Sequence, residues 1–265
     1  MSAGSDAFDG DSCIVTIAEL LAREAELTEQ SRDLYGPYLA TAMESCGLMA
    51  TALARIDENR ALFAAMHAVV CKHMILAALS FVRRHRVQGS MNLRQVTESA
   101  QRACYFLAHQ RDHVVRETDE ELVVSETKVK EKTYAFFDRS MGEHAEAFRQ
   151  AKKIINMTEA HASLRGAQLI FRRGAQGNNT FFDADDPVLV NVGLWSIINT
   201  AIGVLDAYHL ANAQFGGLQF AEDFGDRFAA VSAMRDRLHG ELWGDPTVQA
   251  LEEAAGNEDS PREIW

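Results

Sequence analysis

The sequence predicts a mostly α-helical fold, a multi-helix bundle built around a central antiparallel helical hairpin. Three observations lead there. The chain has only 4 prolines in 265 residues, and it is rich in Ala, Leu, Glu, Arg and Met, which lose little conformational freedom in a helix. Residues 61–82, ALFAAMHAVVCKHMILAALSFV, form an apolar run too long for a strand. A short polar stretch, RRHRVQGS, separates that run from MNLRQVTESAQRACYFL, whose apolar residues recur at helical spacing. So short a connection forces the two helices to lie antiparallel and adjacent.

The other elements follow from start and stop signals. Residues 1–12 are small and acidic, are expected to be disordered, and lack the basic and apolar regions of a signal peptide. Thr16 and Glu19 form a capping box that opens a first helix near Ile17. Gly36 and Pro37 break it, and a second helix is expected to run on to about Ile56. Asp57 caps the apolar helix, whose basic last turn suits the negative end of the helix dipole. Val87, Gln88 and Gly89 read as the hairpin turn, with Ser90 capping a helix that reaches about His113. ETDEELVV reads as an acidic loop over 117–124, followed by helices from Ser125 and, through the Ser140/Glu143 capping box, to about Ile155. Residues 166–183, GAQLIFRRGAQGNNTFFD, read as a small β-hairpin or irregular insertion. Asp186 and Pro187 start a long helix that Gly216 and Gly217 end, and another covers about 221–239. Residues 13–255 are expected to form a single helical domain, with 256–265 a flexible tail.

Composition narrows the function classes. A net charge of −12 argues against a general nucleic-acid binder or one that docks on anionic lipid, so RNA enters only as a substrate. The apolar run over 61–82 holds His67, Lys72 and His73, and that over 188–210 holds Asn191, Asn199 and Asp206. Those groups are costly in lipid, so both runs read as core helices. Cys13, Cys46, Cys71 and Cys104 are dispersed without a C-x2-C pair and read as reduced thiols of a cytoplasmic protein. G-x-S-x-G, P-loop and dinucleotide-binding glycine motifs are absent.

Several polar groups qualify as candidate sites. Arg94, Glu98 and Arg102 line one helix face at spacings of four. A carboxylate between two guanidiniums is held ionised and can bind a ligand, although a row of intrahelical salt bridges has the same spacing. His161, next to small residues, could face the hairpin and join Arg94 and Glu98 as a ligand-binding set. His109, His113 and Glu117 could put metal ligands on one helix face, but a solvated helix end explains them as well, and no metal or other cofactor is expected. Asp183, Asp185 and Asp186 could bind a cation or simply furnish turns and caps.

Two resemblances add to this reading. Arg60 with His67, and Arg102 with His109, show an Arg-x6-His spacing that resembles the signature of HEPN ribonucleases. That resemblance implies an arginine and a histidine acting on RNA phosphodiesters, with Arg102 and His109 as the catalytic pair or, alternatively, Arg60 and His67. Ala61 and Ala103 stand where HEPN motifs usually carry a polar residue. The order of features over about 60–210 resembles a group of bacterial helical domains. The matching residues are the run from His67 to Val82, Arg94 with Glu98, His161-Ala162-Ser163, Phe181-Phe182-Asp183, and Leu194-Trp195 with Leu205-Asp206. This likeness implies a helical bundle in which Arg94, Glu98 and His161 meet. The expected function is association, as a homo-oligomer or with a protein partner, in a bacterial stress or phage-defence system. The alternatives are a HEPN-like ribonuclease and an enzyme that binds a metal or small ligand.

Overall fold

The computed structural model describes residues 16–109, 115–117, 122–124, 126–158, 182–183 and 187–249. Seven long helices carry the fold among these residues: α1 (Ile17–Thr51), α2 (Ala61–Val82), α3 (Arg86–Ala108), α4 (Glu126–Ser140), α5 (Glu143–Thr158), α6 (Pro187–Phe215) and α7 (Phe224–Trp243). α2 and α3 form the central antiparallel hairpin. α6 packs across α1, α2 and α3, α7 lies on α6 and α1, and α4 and α5 cover α3 from another side. The capping box of Thr16 and Glu19 opens α1.

α1 breaks at Gly36, whose backbone (φ 41°, ψ −115°) is non-helical, and resumes at Pro37. It stops at Thr51, five residues short of the expected end at Ile56. Leu53–Ile56 is instead strand β1, paired antiparallel with β4 (Leu218–Phe220) through a bulge between Leu53 and Arg55. Asn212 holds the return from α6 into β4, donating to the Leu218 carbonyl and accepting from its N–H. A second antiparallel pair, β2 (Val115–Glu117) with β3 (Leu122–Val124), begins just before the stretch over 117–124 expected to be an acidic loop and ends with it. α3 therefore ends at Ala108 rather than near His113. The small β-hairpin or irregular insertion expected over 166–183 falls almost wholly outside the described residues.

The hairpin turn lies earlier than the Val87-Gln88-Gly89 expected to form it. Arg84 takes the left-handed conformation (φ 60°). The Arg84 N–H bonds to the Phe81 carbonyl and the His85 N–H to the Ser80 carbonyl. That pattern is a Schellman motif with arginine where glycine is usual. α3 starts at Arg86, whose N–H donates to the Asp183 carboxylate, while the Asp183 N–H bonds to the Arg84 carbonyl. Asp183 thus caps α3 rather than forming part of a cation site. Gly89 lies within α3, and glycine is required there because a Cβ would sit 2.8 Å from the Phe81 ring, as one at Gly193 of α6 would sit 2.4 Å from it. Phe81 is wedged between two helices that approach through glycine, at the centre of a core that includes Phe63, Leu107, Leu194 and Tyr208.

Candidate functional site

The Arg94/Glu98 pair is present and half-buried. Arg94 Nε lies 3.1 Å from Glu98 Oε1. Lys152 of α5 meets the same oxygen at 2.9 Å. Its ammonium also donates to the Tyr134 hydroxyl of α4 and sits 4.8 Å from that ring's centre. Burial pushes the Glu98 carboxyl up, but the hydrogen bonds and charges of Lys152 and Arg94 outweigh it and hold it below the usual range. Burial favours the neutral amine at Lys152, yet Tyr134 and Glu98 hold its pKa above the usual value. The network ties α3, α4 and α5 together as a charged clamp. His161, the expected third member, lies outside the described residues.

The Arg-x6-His pairs have different fates. Arg60 is buried, its guanidinium donating to the carbonyls of Leu107 at 2.6 Å, Phe215 at 3.0 Å and Gly216 at 3.4 Å. These carbonyls end α3 and α6, so Arg60 fastens two helix C-termini. His67 is enclosed by Phe63 and Tyr208, with ring centres 6.0 Å and 5.7 Å away, and burial lowers its pKa to about 4. Neither side chain is open to an RNA phosphate. His109 is exposed at the end of α3. Its ring stacks on Tyr105 at 4.5 Å, and Nδ1 lies 3.1 Å from the Tyr105 carbonyl, so Nδ1 carries the hydrogen. Because α3 ends at Ala108 and Glu117 lies in β2, the His109/His113/Glu117 row does not share one helix face; His113 is outside the described residues. Among the described residues no group of three or more His, Cys, Asp or Glu could hold a metal ion.

Cys46, Cys71 and Cys104 are free thiols. Burial raises Cys46 to about 12 and Cys71 to about 11, and raises Cys104 further still. Thiols kept protonated in this way are poor nucleophiles and metal ligands.

A cleft of about 330 Å³ opens between α3, α5, α6 and α7. Phe148 of α5 and Ile202 and Gly203 of α6 contribute its apolar lining. Polar groups from four helices surround it: Thr97 of α3, Glu143 and His144 of α5, Asn199 and Asp206 of α6, and Arg235 of α7. His144 Nε2 lies 2.9 Å from Asp206 Oδ2, across 62 residues of sequence. Sequence reading did not single out His144 or Arg235. Asn199 and Asp206 carried a local signal, polar groups in an apolar run, which marks residues at the edge of a core helix, and Glu143 carried one as a capping-box residue.

The outer face of α2 is a second unusual surface. α2 and α6 are both long and apolar enough to cross a membrane by length and composition, each with a window of mean hydropathy 1.8. That window is 56% buried in α6 and only 33% buried in α2. The exposed positions of α2 are Ala61, Ala65, Ala68, Lys72 and Ile75. Their alternating spacing of four and three residues is that of a coiled-coil seam. Leu62, Val69 and Leu76 flank it half-buried.

The fold and these surfaces define an all-α helical bundle with an apolar outer seam and a polar-rimmed cleft. Comparison with family models, with curated proteins and with solved structures returns no match for this chain.

Proposed function

We propose that this protein acts by association with a second copy of itself through the outer face of α2. The observation that supports this reading is the apolar seam from Ala61 to Ile75, interrupted by one charge, Lys72. Its side-chain sizes suit self-pairing. The first half of the seam is alanine and the second half carries the long side chains. Two copies crossing antiparallel at Ala68 set Ala61 against Ile75 and Ala65 close to Lys72, so large faces small. The two Lys72 residues then stand about 12 Å apart along the axis, beyond the screening length of about 8 Å at physiological salt. Alanine lets the helix axes approach closely, and antiparallel dipoles favour the pairing. The setting of this proposal is the bacterial cytoplasm, consistent with free cysteines, in a stress or phage-defence response.

Light scattering and sedimentation equilibrium test it. The expected result is twice the chain mass of 29.4 kDa for the native protein, and a folded monomer for Ala68→Glu. A strict monomer at all concentrations overturns it. The exposed ring of His109 keeps a ribonuclease reading with Arg102 in play as the alternative. RNA degradation by purified protein, lost on replacing Arg102 and His109 by alanine, would favour that reading.

A further inference from the structure

We infer that the cleft between α3, α5, α6 and α7 is a binding site for a small zwitterion with an apolar side chain, an amino acid or a molecule of that chemistry. A volume of about 330 Å³ is at the small end of the range for ligand pockets.

Two independent features carry this. The first is Gly203. It sits inside the 29-residue helix α6, where glycine is less favourable than alanine. The other glycine of α6, Gly193, is required by the Phe81 ring, whereas a Cβ at Gly203 would meet nothing within 4 Å. No packing contact requires glycine there. The missing side chain leaves open the cleft that Gly203 lines.

The second feature is the distribution of charge around that opening. Arg235 brings a cation from α7, its guanidinium also paired with Asp236 of the same helix at 2.7 Å, while Glu143 and Asp206 bring carboxylates from α5 and α6. A plain anion would meet Arg235 but also two carboxylates. A plain cation would meet the carboxylates but also a guanidinium. A ligand carrying both signs is complementary to the whole rim. The Asn199 amide adds neutral hydrogen-bonding capacity, and the Phe148 and Ile202 surfaces suit an aromatic or branched aliphatic side chain. The His144 hydrogen bond fixes the position of the Asp206 carboxylate.

The test is isothermal titration calorimetry of the full chain with L-phenylalanine and L-leucine as zwitterions, phenylacetate as the anion and phenethylamine as the cation. At least one amino acid is expected to bind at about 1 mM or tighter, and each singly charged analogue about tenfold or more weakly. Gly203→Leu, which fills the cleft from a position with room for a side chain, is expected to abolish binding while the thermal midpoint is retained or raised. Arg235→Gln, on the rim, provides a second variant and is expected to remove the advantage of the amino acid over phenethylamine. Absence of binding by every probe overturns the inference. So does undiminished binding to a folded Gly203→Leu protein, or phenylacetate binding as tightly as phenylalanine.

Discussion

The Arg60 guanidinium reaches the last carbonyls of two helices from the start of α2. Arg60 looked like one half of a catalytic spacing and is instead a buried fastener of two helix ends. Charge-assisted hydrogen bonds of this kind are individually strong, and truncation leaves buried carbonyls unpaired. Arg60→Met should therefore lower unfolding free energy by about 3 kcal/mol or more in urea melts. Gly217→Ala should also destabilise, because φ is 101° and a Cβ would lie 2.5 Å from Arg60 Nε. His67 gives a pH dependence. Burial lowers its pKa from 6.5 to about 4, so between those values the unfolded chain binds a proton that the folded chain rejects. The His67 contribution is complete above pH 6.5 and is lost as pH falls toward 4, by roughly 3 kcal/mol from the size of the shift. Urea midpoints at pH 7 and pH 4.5 would show it, and His67→Phe should flatten that part of the profile. The glycines of α6 make an opposed pair. Gly193→Ala should destabilise through the Phe81 ring, whereas Gly203→Ala should stabilise by up to about 1 kcal/mol in thermal melts.

At the scale of elements, the central hairpin was legible and its turn was not. Apolar periodicity and a short connection were enough to place α2 beside α3. The expected turn, Val87-Gln88-Gly89, ends on a glycine, the commonest residue for a left-handed position. Here Arg84 takes that position, while Gly89 serves the approach of Phe81. The exception is held from outside the hairpin. Glu24 of α1 meets His85 Nε2 at 2.9 Å and Arg83 Nη1 at 3.5 Å, and Asp183 caps the Arg86 N–H. Asp183→Ala should lower the unfolding free energy by about 1 kcal/mol, the usual cost of a lost helix cap, and hydrogen exchange should speed up first at Arg86. The break at Gly36 was readable because glycine followed by proline acts locally. The end of α1 at Thr51 was not, because β1 exists only through pairing with β4, more than 160 residues further on.

For the whole molecule, the organisation of α3 against α4 and α5 rests on an interaction that local spacing did not reveal. Arg94 and Glu98 were visible as a helical pair, but Lys152 reaches Glu98 from 54 residues away and brings Tyr134 with it. Lys152→Met should destabilise the fold by about 1–2 kcal/mol, since it leaves Glu98 partly buried with one cation fewer. The loss should fade as pH falls through the depressed Glu98 pKa, because a protonated Glu98 no longer needs the second cation; chemical denaturation at pH 7 and pH 3 would show the difference.

The sequence by itself determined where the long helices lie, though not where α1 and α3 end, because apolar periodicity, capping boxes and proline positions act over a few residues. It determined that α2 and α3 pair, because a short connection leaves no other geometry. Only the tertiary structure decided which face of α2 stays outside, where the strands form and which charges share an oxygen. It alone joined His144 to Asp206 beside a cleft. Those outcomes depend on groups brought together from distant parts of the chain, and neither burial nor an ion pair between remote helices leaves a local period to read.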